Sequence, residues 1–135
     1  MRAERTFWEK ATAIHVFCAQ GEFRGGDRFA RHWHDVMRLD AAGFADAAIA
    51  DKPLARAVAQ HKSIFFAEKN TLGEVIDYQA AVEGLLQLVP DDGALARLAT
   101  DYGRMVDDGL FLEEVEPFET LLEKCRVVQQ KANLP

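Results

Sequence analysis

Three arginines, two histidines and an aspartate fall within the twelve residues Arg28–Leu39, a stretch whose other side chains suit a helix. Phe29, Trp33, Val36 and Met37 recur at helical spacing and define one apolar face. At about 100° per residue, Arg28, His32, Asp35 and Leu39 form a second stripe beside it. Asp35 follows Arg28, Arg31 and His32 by seven, four and three positions, so its carboxylate has cationic neighbours at the edge of a packed face. Such a group is either a surface ion-pair partner contributing under ~1 kcal/mol or part of a phosphate-handling set. Lys10 makes the second alternative concrete. It lies inside a wide apolar arc of the first predicted helix, between Ile14 and Phe17 on the helical wheel, and either snorkels outward or points its ammonium at a partner. If the first two helices pack antiparallel, Lys10 faces Asp35. That pair suits triphosphate chemistry: the lysine stabilises charge on phosphate oxygens, and the aspartate orients it or holds a bridging group.

Other chemistries find less support. His32 and His34 are two apart and point in different directions on a helix, while His15 and His61 lie elsewhere. Without an HExxH or H-x₃-H spacing, no metal site is expected from this chain alone, although Asp35 could lend one oxygen to a magnesium ion held mainly by another domain or a phosphate. There is no GxSxG elbow, and neither Cys18 nor Cys125 has a basic partner in sequence. Residues 21–27 read as a basic loop with Arg24 as its cation; Gly25-Gly26 lacks the pattern of a phosphate loop. Arg28 and His34 share the R-x₄₋₆-H spacing of HEPN-type helical ribonucleases, in which a histidine and an arginine flank the scissile phosphate, and a ribonuclease stands as the third reading.

The elements that must position these residues are helical. The first helix is predicted over Thr6–Gln20, with Thr6 and Glu9 spaced as a capping box and Phe7, Ala11, Ile14 and Cys18 as its core stripe. Asp27 can cap the second, which ends around Asp40–Gly43. Phe44–Ala50 suits a short helix, and Asp51-Lys52-Pro53 opens another whose stripe Leu54, Val58, His61 and Phe65 places His61 on the core side. Thr71-Leu72-Gly73-Glu74 has the form of a capping box for a helix reaching Val89, weakened by Gly73 and Gly84 and ended by Pro90. Asp91 or Asp92 caps a helix with Leu95, Leu98, Tyr102, Met105 and Val106 on its core face, stopped by Gly109. Pro117 begins the last, with Phe118, Leu121, Leu122, Cys125 and Val128 on one side. No segment reads as a strand. The pattern predicts an all-α single domain over residues 1–135, five or six helices packed around the first two.

A chain of 135 residues, 49% hydrophobic and 28% charged, can build one core. The net charge of −6 argues against a nucleic-acid footprint spread over the whole chain, while the arginines at 24–38 leave room for a local basic patch. Cys18 and Cys125 fall on apolar stripes and read as buried free thiols. No apolar run approaches the ~20 residues of a membrane span, and the N-terminus lacks a signal-peptide core, so a cytoplasmic location is expected.

The same residues carry a family resemblance. Thr6-Phe7-Trp8-Glu9-Lys10-Ala11-Thr12-Ala13-Ile14-His15, then Arg31-His32-Trp33-His34-Asp35-Val36, resembles the C-terminal half of the AbiEii/AbiGii nucleotidyltransferase toxins. His61-Lys62-Ser63-Ile64-Phe65-Phe66, Leu88-Val89-Pro90, Asp101-Tyr102-Gly103-Arg104-Met105 and the Phe118…Asn133 ending follow in the family's order, extending the resemblance over nearly the whole chain. It implies an N-terminal domain of DNA-polymerase-β type, whose Gly-Ser motif and D-x-D pair bind magnesium and a nucleoside triphosphate. It also implies a helical half that adds a lysine and an aspartate to the same cleft, by position Lys10 and Asp35 as catalytic residues. The implied activity is nucleotide transfer to an acceptor, tRNA ends in some members, within toxin–antitoxin or abortive-infection phage-defence pairs. Many members carry Asp where this chain has His32, and the resemblance disfavours a continuous helix over 71–89.

Neither the Gly-Ser motif nor the D-x-D pair occurs in these residues, and the six before Phe7 cannot hold such a core. The expectation is therefore a helical domain without the N-terminal catalytic core, inactive alone, that completes an active site supplied in cis or in trans. Lys10 would contact the triphosphate, Asp35 would orient Lys10 or the acceptor, and Arg28, Arg31 and His32 would bind phosphate. Magnesium and the nucleotide, and a tRNA acceptor, would enter only with that missing domain; an antitoxin is the implied protein partner. The alternative is a non-catalytic interaction module or remnant that dimerises or binds an antitoxin.

Overall fold

The breadth of the apolar arc on the first helix decides the architecture. In the computed structural model, which describes residues 3–21, 29–109 and 116–134, α1 (Ala3–Gln20) buries Phe7, Trp8, Ala11, Thr12, Ile14, Phe17 and Cys18. An arc that wide cannot be covered by one neighbour. The helix packs against α2 (Arg31–Ala41), α3 (Phe44–Ala50), α4 (Lys52–Phe65) and α5 (Tyr78–Val82). Helix α1 begins before Thr6, so Thr6 lies within it rather than at its cap.

Helix α2 runs antiparallel to α1. The Phe17 ring packs on Phe29 at 4.8 Å and on Trp33 at 5.2 Å between centroids, while Lys10, two turns earlier on α1, meets Asp35 farther along α2. Asp27, expected to cap α2, lies outside the described residues. Within the described residues, a carboxylate from α6 (Asp92–Asp107) serves this turn: buried Asp101 accepts the Ala30 N–H at 2.7 Å just before α2. Gly43, at φ +88°, makes the turn into α3. Fully buried Ala45 and Ala48 let α3 approach α1 closely enough for the Trp8 indole to donate to the Ala48 carbonyl at 2.8 Å.

Asp51 caps α4 by accepting from the Leu54 N–H at 3.2 Å, with Pro53 in the first turn, as expected. The face of α4 departs from the predicted stripe. Ala55, Val58 and Ala59 are buried, whereas Leu54 is half-buried and His61 and Phe65 are exposed. Small alanines bring this helix against α1, and the bulky side chains turn outward. A helix through 71–89 does not form. Lys69 and Val75 make an isolated bridge, Asp77 caps the single-turn α5, and Gly84, at φ +119°, leads into an extended run.

That run, Leu85–Pro90, has side chains from distant elements in place of a ladder. Gln129 of α7 (Phe118–Ala132) accepts the Leu88 N–H at 2.7 Å, His15 Nδ1 accepts the Gln87 N–H at 3.0 Å, and Asn133 both accepts from and donates to Leu86 at 2.9 Å. Trp33 donates its indole N–H to the Leu88 carbonyl at 2.8 Å. The last two long helices keep their predicted core faces, except that Val106 is exposed and Leu95 and Phe118 are half-buried. The domain is all-α, with seven helices and no strand among the described residues, against an expected five or six. Cys18 and Cys125 are free and buried, and burial pushes both thiols up. No described helix is long and apolar enough to cross a membrane.

Candidate functional site

Where α1 and α2 cross, Lys10 Nζ and Asp35 Oδ2 stand 2.9 Å apart, their side chains 27% and 28% exposed. The antiparallel packing of α1 and α2 brings them together, so that of the two alternatives for Lys10 the ammonium points at a partner. An ammonium has three donors; one goes to Asp35, which fixes where the others point. Lys10 and Asp35 open onto a groove of about 420 Å³, completed by Thr6, Arg38, Leu39, Ala42 and Phe44.

His32, one helical turn before Asp35, is half-buried. Burial lowers its pKa below the ordinary 6.5, the charges of Lys10, Lys62 and Arg31 push the same way, and Asp35 opposes them. The imidazole is therefore held toward its neutral form at pH 7, a hydrogen-bonding group rather than a fixed cation. Arg31 is exposed, and its charge reaches His32. Arg28 lies outside the described residues.

A residue absent from the sequence-based set joins this cluster. Lys62 of α4 donates from Nζ to the main-chain oxygen of Glu9 at 3.1 Å and lies 5.6 Å above the centre of the Phe66 ring. It is half-buried, and burial lowers its pKa; the Lys10 charge adds to that lowering and Glu9 opposes it. A signal was present in the sequence: Ala55, Val58/Ala59 and Lys62 continue one helical stripe at i, i+3/4, i+7. Placing the stripe on Leu54, His61 and Phe65 hid it by one position.

His34 goes elsewhere. It lines a separate cavity of about 150 Å³ with Met37, Tyr102 and Lys124, on the side of α2 facing the later helices. The Arg28–His34 pairing of the ribonuclease reading falls partly outside the described residues, and His34 does not share the Lys10–Asp35 groove. Among the described residues no group of three or more His, Cys, Asp or Glu side chains could hold a metal ion.

The model of the nucleotidyl transferase AbiEii toxin family, of type IV toxin–antitoxin systems, matches residues 1–124 of this 135-residue chain. No curated protein and no solved structure matches it. The chain belongs to the AbiEii family.

Proposed function

We propose that this AbiEii-family chain supplies the helical side of a nucleotide-transferring active site and is inactive without a catalytic core provided in cis or in trans. The observation that carries this reading is the 2.9 Å Lys10–Asp35 pair at the α1–α2 crossing, open to a groove. Lys10 donates to the phosphate oxygens on which charge builds during transfer, and Asp35 keeps its ammonium aimed there. His32, held toward neutrality, contributes a hydrogen bond, while Arg31 and Arg28 bind phosphate of the nucleotide or acceptor. The described donor set does not fit a metal held by these residues alone, and magnesium would come with the partner core. The acceptor is a nucleic-acid end of the tRNA type, the setting is the cytoplasm, and an antitoxin is the counterpart.

The test uses the pure chain with nucleoside triphosphates labelled at the α-phosphate and with tRNA. No labelled RNA is expected. Label transferred by the pure chain and lost in Lys10→Ala would show that the chain is active alone and contradict this reading.

A second reading has its own observation. Ile64, Phe65 and Phe66 at the end of α4, and Leu72 and Val75 just beyond, are 56–80% exposed, a concentration of apolar surface that suits a protein partner. On that reading, partner binding and growth arrest are untouched by Lys10→Ala and Asp35→Ala.

A further inference from the structure

We propose that Lys62 is a second phosphate contact of the Lys10–Asp35 site, placed to take a non-bridging oxygen of the same polyphosphate. The inference rests on the reading above and adds to it a residue on a third helix.

Lys62 Nζ is tethered to the carbonyl of Glu9, the residue immediately before Lys10, so α2 and α4 bring charged groups to the same turn of α1 from two sides. A surface lysine ordinarily extends along its stem into water. Lys62 instead turns its ammonium inward, between a main-chain oxygen and the Phe66 ring.

The local charge does not balance. Asp35 is engaged by Lys10 at 2.9 Å, and the Glu9 carboxylate by Arg5 Nε at 2.9 Å. Among the described residues the Lys62 ammonium meets a carbonyl and an aromatic face, with no carboxylate at ion-pair distance. The two carboxylates nearest this turn, Glu9 and Asp35, are thus each taken by another cation. A half-buried ammonium without a counter-ion costs stability, and that cost is offset when an anionic ligand arrives. Of the three donors on Nζ, one serves Glu9, which leaves donors for an oxyanion. Lys10 and Lys62 both act on His32, which places all three groups in one neighbourhood. Two ammonium groups flanking one turn suit a ligand carrying several adjacent negative oxygens, a polyphosphate rather than a single carboxylate.

The experiment titrates inorganic tripolyphosphate into the intact chain at low salt by calorimetry, with thermal melts of each variant. Lys62→Met and Lys62→Gln are expected to weaken binding by about 10-fold or more, Lys62→Arg to retain most of it, and Lys10→Gln to weaken it comparably. Lys62→Met should melt at or above the temperature of the native chain, a gain that a purely structural lysine would not give. If Lys10→Gln weakens binding while both neutral Lys62 variants stay within about twofold, this inference is overturned and the reading of the Lys10–Asp35 site stands. If the native chain does not bind tripolyphosphate, or binds it without regard to Lys10, the underlying reading fails and the inference fails with it.

Discussion

Lys131 and Lys62 both reach toward the α1–α2–α3 core from a later helix, and they sit in opposite electrostatic settings. Lys131, on α7, donates to Asp46 at 2.7 Å and to Asp40 at 3.0 Å, tying the last helix to the end of α2 and to α3. Its pKa is raised, first by the hydrogen bond to Asp46, with burial opposing and Asp40 adding to the rise. Lys62 is more deeply buried, meets a carbonyl and a ring, and has its pKa lowered. A lysine that already holds two carboxylates has little left to offer a ligand; its role is a clamp. A lysine sunk into the fold with spare donors has not spent its charge on the fold. By the same measure Lys10, with one carboxylate and an open groove, stands between them.

The clamp should yield the larger effect on stability. Lys131→Ala removes two partly exposed ion pairs and is expected to lower the unfolding free energy by about 1 kcal/mol, measured by urea denaturation, with tripolyphosphate affinity unchanged. If that affinity falls along with stability, the division between clamp and site collapses.

A smaller effect concerns pH. Burial lowers the pKa of His15, and its Nδ1 accepts the Gln87 N–H, so the folded state favours the neutral ring. Below the ordinary value of 6.5 the unfolded chain takes up the proton first. This contribution to stability is therefore full above that pH and is lost as the pH falls through it toward the lower folded value. His32 shifts in the same direction and adds to the slope. His15→Asn, which keeps an acceptor but has no proton to gain, should flatten the loss of stability between about pH 7 and pH 5. An unchanged slope would assign the effect to His32 and the cluster instead.

What could be read from the chain beforehand follows the range of the interactions. Lys10 and Asp35 were legible because each is anomalous within its own helix: a lysine inside an apolar arc, and an aspartate on a cationic stripe. The helix pairing that joins them needed only the aromatic residues of the same two segments. Lys62 was missed because α4 buries small alanines at 55 and 59, and the larger Leu54, His61 and Phe65 drew the apolar stripe one position out of register. The capping-box spacing at Thr71–Glu74 offers a helix through 71–89, already weakened by Gly73 and Gly84 and disfavoured by the resemblance, because that spacing is a local signal. The partners that hold Leu86, Gln87 and Leu88 extended, Asn133, His15 and Gln129, lie more than forty residues away. The cap on the turn before α2 was hidden for the same reason: Asp101 is seventy-one positions from Ala30.

The measurement that tests the central claim most directly is nucleotide transfer by the gene product as its locus encodes it, together with any catalytic core it carries or recruits. Labelled triphosphate and tRNA would be supplied to the native protein, to Lys10→Ala and to Lys131→Ala. The account predicts that Lys10→Ala loses transfer by about 100-fold, the scale on which removing one group that stabilises developing charge is felt, while Lys131→Ala keeps its rate once its lower stability is allowed for. Transfer by Lys10→Ala at the native rate would contradict the account and leave the α1–α2 ion pair a structural contact.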